Sequence, residues 1–211
     1  MTMSDRNSQQ LESKKPYHHG DLRQQLVLGA VKLLKEEGEA GLSMRKLAAD
    51  VGVSRTAPYH HFKDKDELLC AIAEEGFTRM LRLLEKGAQD NFDLLSEEGF
   101  RQSFLEYVKF ATENPEYYDL MFGGALWRSK SLTESLKQVA YESFRKDLRL
   151  MKRLQKEGRI RADIDVLRFS QVRWSVMHGM SRFMIDGIYM ESSAIEAMTE
   201  TAVEMFLKFL D

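Results

Sequence analysis

The chain has 211 residues, 43% of them hydrophobic and 30% charged, with a formal net charge of −2 at pH 7. That length supports one small and one medium domain, and no apolar run approaches the roughly 18 residues needed to cross a bilayer. The single cysteine, Cys70, excludes an intramolecular disulfide framework and fits a reducing, cytoplasmic setting.

The small net charge hides a division. Residues 1 to 66 hold eleven Lys/Arg against nine Asp/Glu, while the remainder holds twenty against twenty-four. Four of the five histidines also fall in the first part, so the more cationic end is the N-terminal one.

Residues 1–16 are polar, with no hydrophobic region for targeting, and read as a disordered arm ending in Lys14, Lys15 and Pro16. A first helix follows, with Asp21 facing its N-terminus, Leu22, Leu26, Ala30, Val31 and Leu34 on its buried stripe, and Gly38 as its stop. His18 and His19 lack carboxylate or cysteine partners at ligand spacing, so no metal and no cofactor is expected.

Ser43 to Phe62, SMRKLAADVGVSRTAPYHHF, carries the densest signal. Met44, Leu47, Ala48 and Val51 recur on one helical face and leave Arg45, Lys46 and Asp50 in water. Ser43 sits where an N-cap belongs, and Gly52 tolerates the left-handed exit of a tight turn. Ser54 is the expected cap of a second short helix, Arg55 to about His61, kept short by Pro58. Tyr59 and Phe62 are expected to anchor it, leaving Arg55, Thr56, Ala57 and His60 outward, where they can reach base edges. An ordinary helical hairpin is the alternative reading of the same pattern.

Residues 18 to 69 resemble the DNA-binding domain of the tetracycline-repressor-like (TetR) family of bacterial transcription regulators. The resemblance is carried by Gly38, Ser43, Val51-Gly52-Val53-Ser54, Tyr59-His60-His61-Phe62, Lys65 and Leu68-Leu69 in that order. Pro58 departs from it, since the family more often has a branched aliphatic residue there. The resemblance implies a three-helix DNA-binding domain over 17–64, and a DNA phosphate contact for Lys65 at the start of the next helix. Solvated turn lysines are the other reading of Lys63 and Lys65, which alternate with Asp64 and Asp66. The expected DNA-binding set is Ser43, Arg45, Ser54, Arg55, Thr56, Ala57, Tyr59, His60 and Lys65.

From Lys65 onward every segment reads as helix: 65–89, 99–113, a short turn over 115–121, 131–157, 166–188 and 192–210. Breaks fall at Asn114-Pro115, Gly123-Gly124, Gly158 and Asp163 to Asp165. The fold class expected is therefore all-α, a helix-turn-helix domain followed by a helical bundle over 65–211.

The second half resembles a TetR branch with Trp then His-Gly in its penultimate long helix, here Trp174, His178 and Gly179. NPEYYDLMFGG (114–124) and HHGDLR (18–23) support that resemblance. Trp174 and His178 share one helix face, and Gly179 would admit a close backbone approach. His178 reads as either a hydrogen-bonded core residue or a ligand contact. Ser175 and Ser181 have no acid–His arrangement around them, so catalysis is not expected. Cys70 reads as a small buried hydrophobe, with a redox sensor as the alternative.

Large adaptable side chains with a few polar tips suit a largely apolar small organic effector. The expected ligand set is Phe104, Tyr107, Tyr118, Met121, Phe122, Trp127, Trp174, Met177 and His178. No cluster of buried Arg or Lys is apparent, which weighs against a strongly anionic ligand. The last two long helices hold more apolar positions than one inward stripe needs: Phe169, Val172, Val176, Phe183 and Ile185, then Ile195, Met198, Ala202, Met205, Phe206 and Phe209. In the family such a pair forms a homodimer, which would bring two recognition helices onto an inverted-repeat, double-stranded DNA operator. The expected protein is a homodimeric repressor released by its effector, with no membrane partner. A ligand-binding helical protein without operator binding is the alternative.

Overall fold

A computed structural model describes residues 19–89, 96–188 and 194–208. The N-terminal arm, His18, Phe209 and Leu210 lie outside them, as do the side chains of His19 and Asp21. The architecture is all-α. Helices α1 (His19–Gly41) and α2 (Met44–Val51) are followed by a 3-10 helix, Ala57–His60, and then by α3 (Lys65–Gln89). Next come α4 (Glu97–Glu113), α5 (Pro115–Phe122), α6 (Gly124–Arg128), α7 (Glu134–Lys156), α8 (Val166–Asp186) and α9 (Ala194–Leu207).

The helix breaks have local causes. Gly38 takes φ 69° inside α1 and kinks it where a stop is expected, so the last turn to Gly41 runs in a new direction. Ser43 caps α2, its Oγ accepting from the Lys46 amide at 3.2 Å, and Gly52 closes it at φ 77°. Asn114 ends α4 and Pro115 opens α5, since proline at a first helical position forfeits no intrahelical bond.

Leu22, Leu26, Ala30 and Leu33 of α1 pack with Leu47, Phe62, Leu68 and Ile72 in one buried cluster. Gly29 lets α2 cross α1 closely, since a Cβ there would lie 2.8 Å from Val51 Cγ2 and 3.1 Å from Leu47 Cδ1. In the larger part α3 is the spine, packed on α5 and α7, while α4 lies on α8 and α9. Phe206 of α9 sits 6.0 Å from Phe100, 5.8 Å from Phe104 and 5.5 Å from Phe169, which seats the last helix on α4 and α8.

Two expectations are corrected. α6, over Gly124–Arg128, is an additional helix after the glycine break, tied back by the Trp127 indole donating to the Met121 carbonyl at 2.7 Å. Gly179 has nothing within 4 Å of a built Cβ among the described residues, so the close approach it would admit is not made by any of them.

Candidate DNA-binding surface and effector cavity

The segment after α2 departs from the expected geometry in an informative way. The helix is 3-10 rather than α and starts at Ala57, with Thr56 preceding it and no side-chain cap. Ser54 therefore does not cap it; its Oγ pairs with Thr56 Oγ1 at 3.3 Å. Pro58 has no amide hydrogen and its ring is buried, so the turn closes by three-residue bonds such as Tyr59 N–H to Thr56 carbonyl, 3.1 Å.

Anchoring falls to Pro58 and Phe62 rather than to Tyr59. Phe62 is 1% exposed, with the Arg23 guanidinium 5.1 Å over its ring, whereas Tyr59 is 55% exposed. An aromatic ring held in solvent at a helix tip has lost hydrophobic stabilisation of roughly 1.5–3 kcal/mol that burial would bring. Ser43, Arg45, Ser54, Arg55, Thr56 and His60 share its exposure, and Ala57 is half-buried. Ser43, Arg45 and Arg55 border an open hollow of about 600 Å³ with Lys46, Ala49 and Val53.

The cations differ in how they are held. Lys32 pairs with Asp50 at 3.0 Å and Lys46 with Glu37. Arg45 and Arg55 make no ion pair among the described residues, which leaves both charges for a partner. Lys65 is half-buried, and its Nζ donates to the Glu39 carbonyl at 2.6 Å, fastening the start of α3 to the kinked end of α1.

A second site lies between α3, α4, α7 and α8. There a cavity of about 30 Å³ has apolar and aromatic walls from Met80, Tyr107, Trp174 and Met177. Its polar lining is Ser103, Ser143, Asp147 and Arg173. Three residues of the expected ligand set, Tyr107, Trp174 and Met177, thus line it. Tyr118 and His178 connect to it through a hydrogen-bonded chain: the Trp174 indole donates to Tyr107 Oη at 2.9 Å, Tyr107 and Tyr118 hydroxyls meet at 3.1 Å, and Tyr118 Oη lies 2.7 Å from His178 Nδ1. Phe104 packs in the aromatic cluster with Phe100 and Phe206. Phe122 packs on Phe77, Tyr118 and His178, and Trp127 on Phe77, while Met121 is buried against α3.

Burial pushes the Tyr107 phenol well above its usual range, with the Tyr118 hydroxyl adding to the shift, and raises Tyr118 likewise. Burial, then the nearby Arg182 charge, holds His178 below its ordinary value. Both phenols and the imidazole are therefore neutral hydrogen-bonding groups. Among the described residues no group of three or more His, Cys, Asp or Glu is placed to hold a metal ion.

The sequence reading missed Asp147 and Arg173, whose side chains are 15% and 7% exposed and which pair through Arg173 Nη2 and Asp147 Oδ1. A signal existed: Arg173 falls on the buried stripe of α8 between Phe169 and Met177. Asp147 falls in step between Ser143 and Met151 on α7.

A cap, a left-handed turn and a short helix with an open polar face, packed on a helical bundle, form a helix-turn-helix. Comparison with known proteins agrees. The family model for bacterial regulatory proteins, tetR family, matches residues 26–72, and that for the tetracyclin repressor-like C-terminal domain matches residues 100–206. The chain belongs to the TetR family. It is 29% identical over 190 residues to the HTH-type transcriptional repressor AcnR of Corynebacterium glutamicum, 87% of either chain. A protein with unknown function from Rhodococcus sp. RHA1 has a solved structure 29% identical, with TM-score 0.80, covering 93% of this chain and 99% of that one. The TetR family transcriptional regulator PfmR of Thermus thermophilus, at 22% identity and TM-score 0.63, shares the fold over 88% of this chain and 98% of its own. The protein is a DNA-binding transcription regulator rather than an enzyme, and no described helix is long and apolar enough to cross a membrane.

Proposed function

We propose that the chain is a homodimeric repressor that binds an inverted-repeat operator and releases it when a small organic molecule enters the cavity between α3, α4, α7 and α8. The carrying observation is the exposed tip of the 3-10 helix, where Tyr59, Thr56 and His60 stand in solvent beside the unpaired Arg45 and Arg55 while Pro58 and Phe62 hold the backbone. Base-edge contacts come from the tip, and phosphate contacts from Ser43, Arg45, Ser54 and Lys65. In this reading residues 17–64 are the DNA-binding domain, 65–211 the effector and dimerisation domain, and 1–16 an arm.

The outer face of α8 supports the dimer. Val172, Val176, Gly179 and Phe183 recur at helical spacing, Val172 and Phe183 are exposed, and among the described residues nothing lies within 4 Å of a Cβ built at Gly179. Met205 adds an exposed apolar side chain from α9, while Phe169, Ala202 and Phe206 are spent in the core. A twofold axis through this face would pair each α8 with its symmetry mate and set the spacing of the two tips.

Release follows from α3. Met80 lines the cavity, and Lys65 at the other end of the same helix is fastened to α1. Gly76 packs so tightly on α5 that a Cβ would lie 2.6 Å from Met121 Sδ. A ligand that displaces Met80 would therefore move a rigid lever. A hundredfold preference for the spread conformation contributes about 2.7 kcal/mol toward letting DNA go.

Selection from a random duplex library tests the reading. The expected product is an inverted repeat with half-sites one helical turn apart, bound with an affinity that falls steeply with salt. Recovery of no preferred sequence would leave the chain a ligand-binding helical protein and defeat the proposal.

A further inference from the structure

The cavity is built around an ion pair that is only half used. Arg173 meets Asp147 through Nη2 and Oδ1 alone. Arg173 Nε and Asp147 Oδ2 are buried and have no hydrogen-bond partner among the described residues. Both residues line the cavity. Buried donors and acceptors in folded proteins are almost always paired, so an unpaired donor beside an unpaired acceptor on two residues lining one cavity marks a place where a partner is to be supplied.

We infer that the effector is a neutral molecule whose head group both accepts and donates a hydrogen bond, an alcohol or an amide, carried on an apolar body. This rests on the reading of the cavity as the effector site. The head group would accept from Arg173 Nε–H and donate to Asp147 Oδ2, completing both at once. Charge excludes the obvious alternatives. The pair is already neutral, so a carboxylate would sit against Asp147, and an ammonium against Arg173, with an uncompensated charge inside the bundle. The absence of a buried basic cluster from the sequence pattern pointed away from anions for a different reason. Here a buried arginine is present, and its own aspartate cancels it.

Size and walls fit the same chemistry. About 30 Å³ accommodates a hydroxyl as it stands, and a three-atom amide once a wall gives way. The body needs further room, which Met177, unbranched and flexible, can give by rotating aside while Met80 passes the displacement to α3. Trp174 is placed to sense the event, since it lines the cavity and its indole N–H is bonded to Tyr107.

The test titrates the full chain with benzamide, benzyl alcohol, benzoate and benzylammonium, following the two tryptophan indole N–H resonances. Trp127 does not line the cavity and serves as the internal control. The two neutral probes are expected to move the Trp174 signal with Kd values at least tenfold below those of either ion. Asp147→Asn, which frees the arginine charge, is expected to make benzoate the tightest of the four. Should that variant fail to fold, the paired replacement Asp147→Leu with Arg173→Met removes both charges and is expected to reduce discrimination between benzamide and benzyl alcohol on one side and a probe without a head group, toluene, on the other. Stronger binding of either ion to the unmodified protein, or equal binding of all four, overturns the head-group assignment while leaving the cavity an effector site. No shift of Trp174 with any probe overturns the effector site itself.

Discussion

Tyr118 Oη lies 2.7 Å from His178 Nδ1, at the end of a chain of bonds that begins at an indole N–H. The Trp174 indole can only donate, so Tyr107 Oη accepts there. If Tyr107 gives its hydrogen to Tyr118 and Tyr118 gives its own to His178 Nδ1, every hydroxyl of the chain both donates and accepts. Burial and Arg182 keep His178 neutral, and in this arrangement its proton lies on Nε2.

The first prediction is a pH dependence of stability. His178 titrates below its ordinary value of 6.5 when folded, through burial and then Arg182, so the unfolded chain takes the proton first as pH falls. The stability gained from the neutral ring is fully present above pH 6.5 and is lost as pH drops through the window below it. Melting curves between pH 8 and 5.5 are expected to show an acid-side loss that His178→Asn, which can still accept from Tyr118, reduces. Identical pH profiles would contradict the chain of bonds.

Gly29 tests the seating of α2. Alanine there drives a methyl against Val51 and Leu47, and overpacking of this kind costs about 1–3 kcal/mol. Since α2 carries Arg45 and braces the turn, Gly29→Ala is expected to lower both the melting temperature and operator affinity, measured by calorimetry and gel shift. A folded variant of unchanged stability would show that the crossing is looser than described.

Tyr59 and Lys65 separate recognition from scaffold. Tyr59→Ala removes an exposed ring and is expected to leave stability within about 0.5 kcal/mol while weakening operator binding at least tenfold. Lys65→Ala also deletes the bond to Glu39, so it is expected to cost roughly 1 kcal/mol of stability besides DNA affinity. Chemical denaturation beside duplex titration distinguishes the two, and equal effects of both variants on stability would refute the assignment.

Much of this arrangement was legible from residue type and spacing. Ser43 and Gly52 act through their own backbone neighbourhood, so their sequence signatures survive folding intact. The long helices likewise follow local periodicity. What was misread depends on tertiary choice. Tyr59 and Pro58 both offer apolar surface, and only packing decides that the proline goes in and the tyrosine out. Ser54 resembles a cap, yet the proline-shortened turn leaves it no helix to cap. Arg173 and Asp147 lie 26 residues apart on different helices, and no local rule pairs them. Gly179 looks like a contact residue, but none of the described residues comes up to it.

In the proposed dimer two copies joined through α8 present their tips together to DNA, and Phe183→Glu would part them. Phe183 is exposed in the single chain, so a charge there leaves the fold intact and acts only on a partner. Sedimentation of the unmodified protein with and without a selected duplex, beside the same runs on the variant, is the measurement. The expected result is a free dimer that binds one inverted repeat as two chains, and a folded, monomeric variant whose operator affinity falls at least a hundredfold. A variant that stays dimeric, or a monomer that binds the full operator as tightly as the parent, would contradict the account.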